Sequence, residues 1–222
     1  MKRLALILGG IISTALFASA ALAADLPRPA YKAPAYYAPG FNWSGFYVGI
    51  NGGYGWGTAS VTDPLFSFST DLKGWMAGGT VGYNVQSGSL VYGLEGDFDI
   101  STVKGTNVAT CGTPGCEIKN TWLATGRGRI GYSFDRWLPF VTGGAAYGNM
   151  KFSPGAQSES KSRLGYALGA GVEYAFMGAW SVKAEYLYVD LGKFTCSPAT
   201  CGPDTTYKAP LNVARLGVNY RF

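Results

Sequence analysis

From Gly45 onward, apolar residues alternate with small or polar ones at a period of two, the repeat of a strand with two unlike faces. In the first segment Phe46, Val48, Ile50, Tyr54 and Trp56 share one face, opposite Tyr47, Gly49, Asn51, Gly53 and Gly55. The second sets Trp75, Ala77, Val81, Tyr83 and Val85 against Gly78, Thr80, Gly82 and Asn84. The third sets Leu90, Tyr92, Leu94, Phe98 and Ile100 against Gly93, Glu95, Asp97 and Asp99. In the fourth, Trp122, Ala124, Ile130, Tyr132 and Phe134 oppose Thr125, Arg127, Arg129 and Ser133. The fifth, Leu138 to Met150, is apolar on both faces, so its phase is not set by the pattern. The sixth opposes Leu164, Tyr166, Leu168, Val172, Tyr174 and Phe176 to Arg163, Gly169, Gly171 and Glu173. The seventh opposes Trp180, Val182, Ala184, Tyr186 and Tyr188 to Lys183, Glu185 and Leu187. The eighth opposes Ala214, Leu216, Val218, Tyr220 and Phe222 to Val213, Arg215, Gly217, Asn219 and Arg221.

The two faces differ in chemistry. The aromatic-rich face carries charge only near segment ends, at Lys73 and Asp190. The other carries Glu95, Asp97, Asp99, Glu173 and Glu185 with Arg127, Arg129, Arg163, Lys183, Arg215 and Arg221. A soluble sandwich would bury the first face and wet the second, but the first is too aromatic and the second too glycine-rich. A membrane barrel reverses the arrangement: apolar residues meet lipid, aromatics gather at both interfaces and polar groups face the lumen. A charge at mid-bilayer on the lipid face costs roughly 2–4 kcal/mol, which accounts for the uncharged stripe.

The joins agree. Three are short, around 86–89, 135–136 and 177–179, and they alternate with four long stretches, about 58–72, 101–119, 151–162 and 191–208. The predicted fold is an all-β, eight-stranded antiparallel up-and-down transmembrane barrel with short periplasmic turns and four long extracellular loops. Closure follows, because an open edge in lipid leaves backbone groups unpaired. Glu173 and Lys183 fall opposite each other around a short turn, and Glu95, Asp97 and Asp99 lie on the strand beside Arg127 and Arg129. Buried charges persist only when paired. The charges therefore read as a network plugging the lumen or as an ion-conducting constriction, and eight strands favour the plug because side chains fill a barrel of that size.

Ahead of the barrel, residues 1–23 read as a cleaved secretory signal: Met1-Lys2-Arg3, an apolar run from Leu4 to Phe17, and an Ala-x-Ala site at Ala21 and Ala23. Residues 24–43 form a Pro/Tyr-rich periplasmic linker, and residues 44–222 the barrel. Losing Lys2 and Arg3 leaves 16 basic against 13 acidic residues, too even and dispersed for nucleic acid. The chain has no histidine, which removes the usual proteolytic His–Asp and Ser–His arrangements. Its glycine-rich stretches alternate with aromatics and lead into no helix, so they are not phosphate loops. The reading is of a protein that is not an enzyme, with no catalytic, cofactor or metal residues. Cys111 with Cys116 and Cys196 with Cys201 each have C-x4-C spacing within a predicted loop. Local disulfides are the simplest pairing, cross-loop pairing is the next, and an exported chain disfavours a zinc site.

The stretch Trp43-Ser-Gly-Phe-Tyr-Val-Gly-Ile-Asn-Gly-Gly-Tyr-Gly-Trp56 resembles the first strand of the alphaproteobacterial outer-membrane surface-antigen family. Leu168-Gly-Ala-Gly-Val-Glu-Tyr-Ala-Phe176, the run from Trp180 to Gly192 and the ending Arg215-Leu-Gly-Val-Asn-Tyr-Arg-Phe222 extend the likeness over residues 41–222. The resemblance implies an outer-membrane location and a porin-like, structural surface role. It also implies that Val218, Tyr220 and Phe222 form the signal read by the barrel-assembly machinery. The other expected partners are outer-membrane lipid and lipopolysaccharide. Some of the family's members are called porins or hemin binders. Without histidine, a hemin contact in this chain would fall to a tyrosine such as Tyr207, a methionine, or loop bases and aromatics.

Overall fold

The computed structural model describes residues 41–62, 67–107, 116–154, 159–195 and 206–222. The strands, in chain order, are β1 (Gly45–Thr62), β2 (Ser67–Ser87), β3 (Leu90–Ser101), β4 (Lys104–Asn107), β5 (Cys116–Tyr132), β6 (Trp137–Pro154), β7 (Glu159–Met177), β8 (Trp180–Asp190), β9 (Lys193–Thr195), β10 (Thr206–Lys208) and β11 (Leu211–Arg221). β4 continues β3 past a break at Thr102 and Val103; β9 continues β8, and β10 leads into β11. The wall therefore has eight long members. They pair antiparallel in sequence order, and β11 closes the circuit on β1 from Tyr47↔Arg221 to Gly57↔Leu211. Closure leaves neither edge strand unpaired, as an apolar medium requires.

One rim is built from two-residue turns. Gly88, Asp135 and Gly178 each open a turn with positive φ, of 60°, 55° and 52°. That geometry matches the twist of the flanking strands. The turn at Asp135-Arg136 also sets the phase that the sequence left open. Trp137 bridges Phe134, an outward residue, so Trp137, Val141 and Tyr147 face out while Leu138, Phe140, Thr142, Ala146 and Met150 face in.

At the other rim the structure corrects the expected loops. β1 and β2 stay paired to Thr62↔Ser67, and β6 and β7 to Phe152↔Glu159, so most of 58–72 and 151–162 is wall. The segments β4, β9 and β10 extend it further. The physical reason is an inversion of the pattern along the barrel. Around the middle, Ile50, Leu94, Ile100, Leu164 and Leu216 are exposed outside, and charge lies inside. Towards the long-loop rim, Ser60, Asp71, Lys73, Lys104 and Lys151 face out, while Ala59, Leu72, Val103, Ile118 and Met150 are buried. Asp190 lies on the outer face as expected, opposite the exposed Tyr166, but is buried there: it accepts a bond from the Gly192 amide at 2.8 Å and lies 3.6 Å from the Lys208 ammonium. There the barrel is built like a water-soluble one, and a lipid-facing pattern does not find it.

Two belts of aromatic contacts mark the change. Near the turns Tyr132 meets Phe134, Trp137 meets Tyr174 and Trp180 meets Tyr220, at 4.7, 4.5 and 5.0 Å between ring centres. Towards the other rim Tyr54 meets Trp75 and Trp122 meets Tyr147, at 5.2 and 5.4 Å. Amphipathic rings concentrate at both interfaces of a bilayer in this way.

Candidate functional site in the lumen

The lumen is filled in three layers. In the middle lie five carboxylates, Glu95, Asp97, Asp99, Glu173 and Glu185, with four cations, Arg127, Arg129, Lys183 and Arg215, all buried. Arg127 reaches from β5 to Glu95 and Asp97 on β3, both at 2.6 Å, and to Glu185 on β8 at 2.7 Å. Arg215, on β11, binds Glu185 at 2.7 Å, Asp97 at 2.9 Å and Asp99 at 3.1 Å. Two planar guanidinium groups thus hold the lumen together across its width, a use for which their fixed fork of donors suits them.

Arg129 and Lys183 form a second tier. Arg129 binds Glu173 at 2.8 Å, donates to the Tyr47 hydroxyl at 3.1 Å and lies 4.2 Å over the Phe140 ring. Tyr47 in turn donates to Glu95 at 2.7 Å. Lys183 stands opposite Glu173 in the β7–β8 ladder, as expected, but its ammonium bonds Glu95 at 2.8 Å instead. Glu173 is satisfied by Arg129, by the Ser181 hydroxyl at 2.6 Å and by Asn219 at 2.8 Å. The expected Glu173–Lys183 pair is therefore not made, because the curved wall aims the long Lys183 side chain across the lumen.

Two further charges leave the predicted network. Arg163, half-buried on β7 near the long-loop rim, takes part in none of the ion pairs among the described residues. Arg221 lies at the turn rim, its guanidinium 4.3 Å over the Phe41 ring. Both have inward parity, but they lie above and below the charged layer; alternation fixes a face, not a depth. The layer also uses neutral partners: Thr80 and Thr125 each donate to Asp97 at 2.8 Å. Their shared parity with the acids was the available signal. Glycines make room on the same face, and a Cβ at Gly82 would collide with the Tyr47 ring.

Apolar layers close both ends. Towards the long-loop rim Leu72, Met76, Val103, Ile118, Leu123, Met150, Leu187 and Leu211 belong to one buried cluster. At the turn rim Trp43 packs with Val91, Leu138 and Ala175, with Phe41 against them. Trp43 donates its amide to Gln86 at 2.7 Å and its indole N–H to the Asp135 carbonyl at 3.2 Å, and the Phe41 amide donates to the Asp135 carboxylate at 3.2 Å. Nothing in the strand period marks Trp43, which precedes β1. Among the described residues, a void of about 10 Å³, the room of about one water molecule, lies in the long-loop layer, and another of that size lies at the turn rim where Phe41 and Trp43 meet Asn84, Glu173 and Arg221. A larger hollow, about 850 Å³, opens on the outer face among Tyr54, Trp75, Ala77, Tyr186, Ala214 and Leu216.

Of the remaining expectations, Val218, Tyr220 and Phe222 share the outer face beside the closing seam, where the Phe222 amide donates to the Phe46 carbonyl at 2.9 Å. Cys116 opens β5 opposite Asn107 and Pro154, whereas Cys111, Cys196 and Cys201 lie outside the described residues, as do the signal and most of the linker. Tyr207 pairs in the backbone with Val61 and Phe194.

A closed eight-membered antiparallel wall, apolar and aromatic-belted outside and polar within, defines an integral outer-membrane β-barrel. The chain belongs to the family described as "Outer membrane protein beta-barrel domain", whose model matches residues 11–222. It is 36% identical to the 31 kDa outer-membrane immunogenic protein of Brucella melitensis, over 94% of this chain and 96% of that one. The 25 kDa outer-membrane immunogenic protein of Brucella abortus is 34% identical, over 96% of each. A 22 kDa outer membrane protein of Rhizobium leguminosarum is 37% identical, over 67% of this chain and 64% of that one. In this arrangement the turn rim is periplasmic and the long-loop rim extracellular.

Proposed function

We propose that the protein is a non-conducting structural element of the outer membrane that supports the envelope and presents its extracellular rim at the cell surface. One observation carries this reading: the ionic layer is closed on both sides by apolar layers, and among the described residues the void at each end holds about one water. An ion entering from either side would lose its hydration before reaching the central layer, whose charges already hold one another at 2.6 to 3.1 Å. The balance of five acids against four bases supports the same role, since a selectivity ring would concentrate one sign. The names of the Brucella relatives agree with a surface-presented barrel. In assembly, the outward stripe of Val218, Tyr220 and Phe222 is the segment we assign to recognition by the barrel-assembly machinery. The deciding measurement is conductance of the purified protein in planar bilayers. No steady current steps are expected, and reproducible unitary steps would make it a narrow porin instead.

A further inference from the structure

The outer face just beyond the extracellular aromatic belt carries four lysines in one unbroken cross-strand row. Lys73 on β2 stands opposite Lys104 on β4, Lys104 opposite Lys119 on β5, and Lys119 opposite Lys151 on β6. Lys73, Lys104 and Lys151 are exposed and Lys119 is half-buried; none of the four ion-pairs with a described residue. Like charges directly opposite one another on a sheet are destabilising. Three such contacts in a row, at a strand spacing that sets the row's length at about 14 Å, form an arrangement that an anion would relieve.

Its level in the membrane says which anion. Lys73 lies two residues beyond Trp75 along β2 and directly across from Trp56, both rings of the extracellular belt. Lys119 and Lys151 follow Trp122 and Tyr147, which are in contact at 5.4 Å. The ammonium groups therefore sit where apolar lipid contact ends and headgroups begin. Asp71 and Glu117 lie on the same outer face one row further out, Asp71 opposite Thr58 and Glu117 between Thr106 and Ser153. Neither forms an ion pair with the row, and its neighbours on the membrane side, Trp75, Thr102, Thr121 and Asn149, carry no charge.

We infer that Lys73, Lys104, Lys119 and Lys151 form a binding site for the phosphate groups of outer-leaflet lipid. The site gives one quadrant of the barrel a preferred lipid neighbour, and it stands whether or not the lumen conducts. The test uses protein purified from outer membranes and reconstituted in phosphatidylcholine, with spin-labelled phosphatidic acid compared with spin-labelled phosphatidylcholine by electron spin resonance. The native protein is expected to prefer phosphatidic acid, less so as salt is raised. A variant with Lys73→Gln, Lys104→Gln, Lys119→Gln and Lys151→Gln should lose that preference by about fivefold or more, since one lysine beside an anionic surface contributes about a factor of five. The corresponding four Lys→Arg changes should keep it. Unchanged preference in the glutamine variant would overturn the site. Loss of preference on adding inorganic phosphate at fixed ionic strength would also overturn it, by making the ligand a soluble anion.

Discussion

Lys183 stands directly across the β7–β8 ladder from Glu173, yet its ammonium bonds Glu95 on the far side of the lumen at 2.8 Å. A double-mutant cycle reads this directly. Lys183→Met with Glu95→Gln should show a coupling of about 1 kcal/mol or more, within the range for residues sharing an ion-pair network. Lys183→Met with Glu173→Gln should show a clearly smaller one. Urea unfolding in detergent micelles provides the free energies, and equal couplings would contradict the assigned partner.

Gly82 accommodates the Tyr47 ring, and Tyr47 links Arg129 to Glu95. Gly82→Ala is expected to destabilise the barrel by about 1–3 kcal/mol, the usual penalty for overpacking. Gly79, on the outer face, offers a control: a Cβ there would meet only the Gly49 carbonyl, at 3.7 Å. Gly79→Ala should leave the urea midpoint nearly unchanged, and a similar loss in both variants would refute the role given to Gly82.

Trp43 seals the periplasmic end, where it is almost wholly buried. Trp43→Ala should cost about 3–5 kcal/mol, the range for truncating a large buried aromatic. Conductance should nonetheless stay silent, because the ionic layer and the extracellular apolar layer remain. Current steps from this variant would mean that Trp43 alone is the barrier.

Phe222 is 73% exposed on the outer face, touching Phe46 and Tyr220 at 5.8 and 5.1 Å between ring centres. Its amide bond to Phe46 does not involve the side chain. Phe222→Ala should therefore refold in detergent with native strand content, yet accumulate poorly in the outer membrane of growing cells. Normal membrane levels, compared by immunoblot of fractionated envelopes, would rule out its part in the assembly signal.

How far the sequence could be read depended on whether a property was local. Alternation placed Ile50, Leu94 and Leu216 outside and Glu95, Arg127 and Arg215 inside, because successive side chains on a strand point to opposite faces whatever surrounds them. The same rule could not phase Leu138 to Met150, where both faces are apolar, and the turn at Asp135 decided it. It also took the extracellular extensions for loops, because above the membrane the outer stripe of Ser60, Asp71 and Lys151 is polar.

By itself, then, the sequence determined the strands within the bilayer, their two faces, the membrane medium and the short turns. The sequence also set Glu95 and Asp97 beside Arg127 on neighbouring strands, where they pair, but tertiary structure alone decided which charges meet across the lumen. Closing the wall brings β3, β5, β8 and β11 around one axis, so Glu95 is bonded by Lys183, 88 positions away, and Arg163 and Arg221 are set at other depths. Closure likewise lined up Lys73, Lys104, Lys119 and Lys151 from four separate stretches of chain. Face is a matter of parity along one strand, whereas depth and partner depend on register between strands and on how far each side chain reaches across the lumen.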